Sequence, residues 1–103
     1  MIAVTQLPIK FRVLEILSDG KSQWNSDIIR QLQSEYSDLK GDYGRDSANF
    51  DMIELASNGL IMSVELKVDE EGVYKKDYLM HKYVLTEFGK ERCKYAGVYK
   101  GGN

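Results

Sequence analysis

Tyr43-Gly-Arg-Asp-Ser-Ala-Asn-Phe-Asp-Met-Ile-Glu-Leu-Ala-Ser-Asn-Gly-Leu-Ile61 is the stretch on which the reading of this chain turns. Asp46 or Ser47 can accept from the free N–H groups of a first helical turn. Ala48, Met52 and Leu55 recur at i, i+4, i+7, and Asn58-Gly59 offers a left-handed end. The spacing predicts a helix over 45–58. Directly after it, Met62, Val64, Leu66 and Val68 alternate with Ser63, Glu65, Lys67 and Asp69, the period of a strand with one buried face. A helix therefore runs straight into a strand.

Toward the N-terminus, Ser37 to Gly44 holds Asp38, Gly41, Asp42 and Gly44 and predicts a loop of about eight residues. Before it, Asn25 or Ser26 is expected to cap a helix that buries Ile28, Ile29, Leu32 and Tyr36 and leaves Asp27, Arg30, Gln31 and Gln33 wet. Lys21 to Trp24 reads as a short extended link, with Trp24 a core anchor rather than a ligand platform. Pro8, after Thr5-Gln6-Leu7, suits a first helical position, where its preset φ helps and its missing N–H costs nothing. Ile9, Val13, Ile16 and Leu17 form one apolar stripe of that helix, and Leu7, Phe11 and Leu14 form a second; Asp19-Gly20 ends it. The arc is wider than one packing face requires. Either the helix is central to a small core, or its second stripe meets another copy of the chain.

Toward the C-terminus, Asp69-Glu70-Glu71-Gly72 marks a turn, and Val73 to Leu85 returns as a strand, closing a β-hairpin. Lys75, Lys76, Asp77 and His81 interrupt the apolar residues of the return strand, so Asp69 to Tyr78 is expected as an exposed tip. Thr86 caps a last helix reaching about Tyr95 or Ala96, with Phe88 and Tyr95 as an i, i+7 pair. Residues 1–96 then form one domain and 97–103 a flexible tail.

The 103 residues, 43% apolar and 29% charged, have the composition of an ordinary globular domain. No apolar run is long enough for a membrane span, and no secretory pattern opens the chain, so a cytoplasmic location without membrane contact is expected. Cys93 has no cysteine partner, and with the single His81 it falls short of a zinc ligand set; no metal or cofactor is expected. No nucleophile with an adjacent base and no glycine-rich phosphate loop is evident, so an enzyme is not expected. His81 reads as a half-buried strand residue rather than a pH switch, and Cys93 as a small apolar helix residue rather than a redox sensor. The net charge of −2 argues against non-specific attraction to nucleic acid. Lys75, Lys76 and Lys82 stand against Asp77 alone in the stretch 73–82, which is where an anionic partner would meet the chain.

The order helix, extended link, helix, helix, hairpin, helix resembles a winged helix-turn-helix domain. Leu55-Ala-Ser-Asn-Gly59-Leu60-Ile61 resembles the Leu-x-x-x-Gly-Leu-Ile/Val junction between recognition helix and wing. Tyr83-Val-Leu85-Thr86-Glu-Phe-Gly89 resembles the Tyr-x-Leu-Thr-x-x-Gly that ends the wing in PadR-like and MarR-like transcriptional regulators. The resemblance implies an α+β fold with a three-helix core, a β-hairpin wing and a C-terminal helix. It further implies a homodimer that binds double-stranded DNA sequence-specifically, with helix 45–58 in the major groove and wing 69–78 on the backbone.

Carried onto this sequence, the groove residues are Arg45, Ser47, Asn49 and Phe50, with Arg45 suited to guanine and Asn49 to adenine. Tyr43, Lys75, Lys76 and Lys82 would reach phosphates. Helix 45–58 departs from the family by carrying one basic residue against Asp46, Asp51 and Glu54. Phe50 and Ile53 lie well round the helix from Leu55. They are either core of a small domain or an exposed interface, and in the second case the chain is a winged-helix protein-interaction module that does not bind DNA.

Overall fold

A computed structural model of the chain describes residues 7–99. Its elements are α1 (Ile9–Leu17), β1 (Gln23–Trp24), α2 (Asn25–Glu35), α3 (Gly41–Ser57), β2 (Ile61–Asp69), β3 (Tyr78–Leu85) and α4 (Glu87–Ala96). The strands form one antiparallel sheet in the order β1-β3-β2. The chain is thus mixed α+β, with four helices and a three-stranded sheet among the described residues, a layout compatible with a winged helix. No described helix is long and apolar enough to cross a membrane.

Two chain reversals set this layout. At the end of α3, Gly59 takes φ 79°; the Leu60 N–H donates to the Leu55 carbonyl and the Gly59 N–H to the Ala56 carbonyl, both at 3.0 Å. These are the paired bonds of a helix end closed by a left-handed residue. At the far end of the hairpin, the Asp69 carboxylate accepts from the N–H groups of Val73, Tyr74 and Lys75 at 2.7–3.0 Å and holds the connection in one loop. β3 starts at Tyr78, not at Val73 as expected, because Asp69 gathers those N–H groups and takes them out of strand pairing.

The core joins Val13, Leu14, Ile16 and Leu17 of α1 to Ile28, Ile29 and Leu32 of α2, Ala48, Met52 and Leu55 of α3, and Ile61, Tyr83 and Leu85 of the sheet. α1 is central, as its wide apolar arc allowed, although Phe11 is exposed. Arg12 locks it to α2, donating to both carboxylate oxygens of Glu35 at 2.7 Å and to Glu15 at 2.8 Å. Pro8 precedes the first helical residue rather than occupying it, and Thr5-Gln6 lie outside the described residues. Cys93 is fully buried and His81 half-buried, as expected.

Several expectations require correction. α3 begins at Gly41, so the predicted loop 37–44 shrinks to the four residues 37–40, and Asp46 and Ser47 are interior residues rather than caps. The glycines that read as breakers allow a tight entry. Gly41 takes φ 66°, and Gly44 lies so close under Leu39 that a Cβ would overlap the Leu39 carbonyl. Gln33 Nε2 secures the turn by donating to the carbonyls of Leu39 and Gly41.

Neither Asn25 nor Ser26 caps α2; Asn25 is fully buried and bonds elsewhere. α4 turns Gly89 and Cys93 inward and leaves Phe88 and Tyr95 exposed. Val98, expected in a flexible tail, is buried, and its N–H donates to the Cys93 carbonyl; 100–103 lie outside the described residues. The largest departure is β2. Met62, Val64, Leu66 and Val68 are all exposed, because none of the described elements covers them.

Candidate functional site

Tyr43, Asp46, Phe50, Ile53 and Ser57 recur at i, i+3, i+7, i+10 and i+14 on α3 and face solvent together. Ala48, Met52 and Leu55 hold the opposite side of the helix in the core. The solvent face is apolar to an unusual degree: Tyr43 is 79% exposed, Phe50 57% and Ile53 46%. Of the two readings of Phe50 and Ile53, core or exposed surface, the core one is therefore set aside. Their side of the helix lies opposite the face held in the core, and no other described element covers it. Asp46 is the only charged residue of the five.

Arg45 stands beside this face but is engaged. Its guanidinium lies 2.7 Å from Asp42 and 3.1 Å from Asp46, its carbon sits 5.7 Å from the Tyr78 ring centroid, and its side chain is only 14% exposed. Reading a guanine would require breaking both ion pairs. Asn49 is half-buried, with Oδ1 accepting from Asn25 Nδ2 at 3.2 Å. The same Asn25 amide donates to the Leu79 carbonyl at 3.2 Å, and Asn25 Oδ1 accepts from the His81 N–H at 3.3 Å. Asn49 is thus part of the seam between α2, α3 and β3. Ser47 is half-buried at the rim.

The three hairpin lysines separate into two groups. Lys75 and Lys76 are exposed on the tip loop, and Lys76 Nζ donates to the Glu70 carbonyl at 2.7 Å. Lys75 shares a cleft of about 430 Å³ with Gln33, Gly41, Asp42, Arg45 and Tyr74. Lys82 lies elsewhere, with Nζ 5.7 Å from the Trp24 ring and 3.9 Å from Glu65; Lys67 covers the same ring at 4.6 Å. Trp24 is accordingly a half-buried platform for two ammonium groups, and not the core anchor expected. Of the predicted site residues, the fold brings Tyr43 and Phe50 onto one face and Arg45 and Lys75 into one cleft, while Asn49 and Lys82 are turned to other tasks.

The tip is exposed but not loose. Tyr74 and Tyr78 pack edge to face at 5.4 Å, and Arg30 stacks on Tyr74 at 4.9 Å. Burial pushes the Asp69 carboxyl up, but the N–H groups of Lys75, Tyr74, Val73 and Gly72 outweigh burial and hold it below the usual carboxylate value. A depressed folded value means that the ionised group favours the folded loop above the unfolded aspartate pKa, about 3.9, and that this contribution disappears as pH falls through the folded value. Acidification below about pH 4 is expected to weaken wild type more than an Asp69→Asn variant. Denaturant midpoints followed from neutral to acidic pH check this, and parallel curves would count against the loop assignment.

Sequence reasoning overlooked Asn25 as a three-way bridge and the apolar exposure of β2. The first had a signal, since a polar residue flanked by Trp24 and Ile28 at the start of a helix can point inward; the second had none, because alternation reads the same whether or not its face is covered. Among the described residues, no cluster of three or more His, Cys, Asp or Glu side chains is placed to hold a metal ion. Comparison with protein-family models, curated proteins and solved structures finds no match, so the reading of this face rests on its geometry.

Proposed function

We propose that the chain is a winged-helix module that docks on a protein partner through the outward face of α3. The supporting observation is the exposure of Phe50 and Ile53 in one stripe with Tyr43, with Asp46 the only charge among them. Duplex recognition draws its affinity from cations displacing counterions at phosphates, and no lysine or arginine lies in this stripe. Apolar and aromatic side chains in a patch are instead the common composition of a protein interface core. The complementary partner is an apolar segment bordered by lysine or arginine, which would meet Asp46 and Asp42. The module is non-enzymatic in this reading, and a cytoplasmic location belongs to the same proposal.

A second reading, a homodimeric transcriptional regulator on double-stranded DNA, keeps support from Lys75 and Lys76 on the hairpin tip. Anisotropy of a labelled random duplex, titrated at several salt concentrations, separates the two. Docking predicts no saturable binding at low salt. Binding that weakens steeply with salt and is lost in the Lys75→Ala/Lys76→Ala double variant would overturn it in favour of DNA.

The positive arm is selection of a random peptide library on wild type, with counter-selection on a Phe50→Ala/Ile53→Ala variant. Enriched peptides should carry apolar residues beside basic ones, and the variant should bind them at least tenfold more weakly while its stability changes by less than about 0.5 kcal/mol. Peptides that bind both proteins equally would place docking elsewhere.

A further inference from the structure

β2 lies at the edge of the sheet, with β3 on one side only. The bonds of Asn25 reveal which main-chain groups of β2 face the open side. Because the Leu79 carbonyl and the His81 N–H both bond the Asn25 side chain, these two residues direct their main-chain groups toward α2 and away from β2. Along a strand these directions alternate residue by residue. Met80 and Lys82 therefore bond β2, through their partners Lys67 and Glu65. Leu66, paired with His81, turns its N–H and C=O to the open edge; Val68, paired with Leu79, turns its N–H there, while its carbonyl accepts from the Glu70 N–H at 2.9 Å.

The side chains beside those groups are open as well: Leu66 is 58% exposed, and Val64, Val68 and Leu79 are about half exposed. An edge strand that turns peptide groups outward at Leu66 and Val68, flanked by apolar side chains, is a template for another strand.

The sequence of the edge identifies that strand. Val64-Glu65-Leu66-Lys67-Val68 is its own complement when two copies run antiparallel about Leu66. Leu66 then faces Leu66, each Glu65 faces a Lys67, and each Val64 faces a Val68, so every cross-strand pair is apolar or oppositely charged. Centres on the neighbouring charged residues fail. Centring on Glu65 sets two glutamates face to face, and centring on Lys67 sets two lysines face to face and each Glu65 against an Asp69. The outward peptide groups of Leu66 would form a mutually bonded pair across that axis, whereas at Val68, the next residue turned outward, the carbonyl already accepts from the Glu70 N–H at 2.9 Å.

We propose that two copies of the chain join β2 to β2 about Leu66, giving a continuous six-stranded sheet in the order β1-β3-β2-β2-β3-β1. The irregularity in the β2–β3 ladder falls at Val64, which has no partner on β3, so the regular part of the joined ladder is Glu65 to Lys67 with Val64 and Val68 at its ends. Leu66, Val68 and Leu79 of both copies line one side of the joined sheet. None of Tyr43, Phe50 and Ile53 takes part, so this proposal and the docking proposal stand or fall separately.

Charge exchange across the axis tests the pairing. Sedimentation of wild type over a concentration series should show a monomer–dimer equilibrium. The Glu65→Lys variant alone would set lysines against lysines at both ends of the pairing, and Lys67→Glu alone would set glutamates against glutamates. Each should raise the dimer dissociation constant by about tenfold or more. An equimolar mixture of the two variants should recover dimer as a heterodimer, which also shows that each variant is folded. Wild type that stays monomeric, a dimer indifferent to both variants, or a mixture that stays monomeric would each overturn the proposal; an indifferent dimer would point instead to the exposed Phe11 side of α1.

Discussion

Replacing Gly89 with alanine is expected to cost about 3 kcal/mol and to lower the melting midpoint by about 15 °C. Helix propensity alone points the other way, since alanine in a helix interior gains about 1 kcal/mol over glycine. Packing decides the sign. A Cβ at 89 would overlap the Leu60 carbonyl oxygen and come within 2.8 Å of Leu85 Cδ1, and that carbonyl cannot retreat because it is already bonded. It accepts from the Thr86 N–H at 3.1 Å, while Thr86 Oγ1 gives its single hydrogen to the neighbouring Gly59 carbonyl at 2.6 Å and accepts from the Gly89 N–H at 2.9 Å. One threonine thus ties the start of α4 to the reversal after α3, and Gly89 lets the two backbones approach. Thermal melts of wild type and Gly89→Ala followed by circular dichroism check this. A midpoint equal to or above wild type would mean that α4 does not seat against Leu60.

Asn25→Leu is expected to cost about 3 kcal/mol, even though leucine offers more apolar volume at a fully buried position. The amide serves three groups on two elements, the Asn49 side chain, the Leu79 carbonyl and the His81 N–H. Leucine can serve none of them, and each polar group left buried without a partner costs about 1–3 kcal/mol. The loss should be local as well as global. Amide exchange at His81 should accelerate, because the bond that protects it is gone. Denaturant titration together with hydrogen exchange tests both, and a loss under about 1 kcal/mol with unchanged His81 exchange would show that the groups find other partners.

Both residues bear on how much the sequence disclosed. Gly89 stood in a recognisable local pattern with Tyr83, Leu85 and Thr86, and in this chain the reason for the glycine is its close approach to the Leu60 carbonyl. Asn25 stood in no pattern. It read as a helix cap because asparagine before a helix usually serves its own N–H groups, and only the arrival of β3 and α3 gave its amide better partners. The same logic explains the entry to α3. Gly41 and Gly44 favour a loop when judged by local propensity, yet the approach of Leu39 makes Gly44 the residue a helix can accept there.

Local chemistry was enough for the order of elements, the left-handed reversal at Gly59, the cap at Thr86 and the buried stripes of α1, α2 and α3, because each depends on neighbours within a turn or a strand period. What faces solvent was settled by the tertiary structure. Periodicity reports that one side of a segment is apolar and says nothing about whether another element arrives to cover it. In α3, covering Ala48, Met52 and Leu55 left Phe50 and Ile53 outside; in β2, none of the described elements arrived, and the alternation that reads as a core face became an open face. Charge followed the same division: the number of cations is a property of the sequence, whereas the pairing of Arg45 with Asp42 and Asp46, and of Lys82 with Trp24 and Glu65, required the helices and hairpin to be in place.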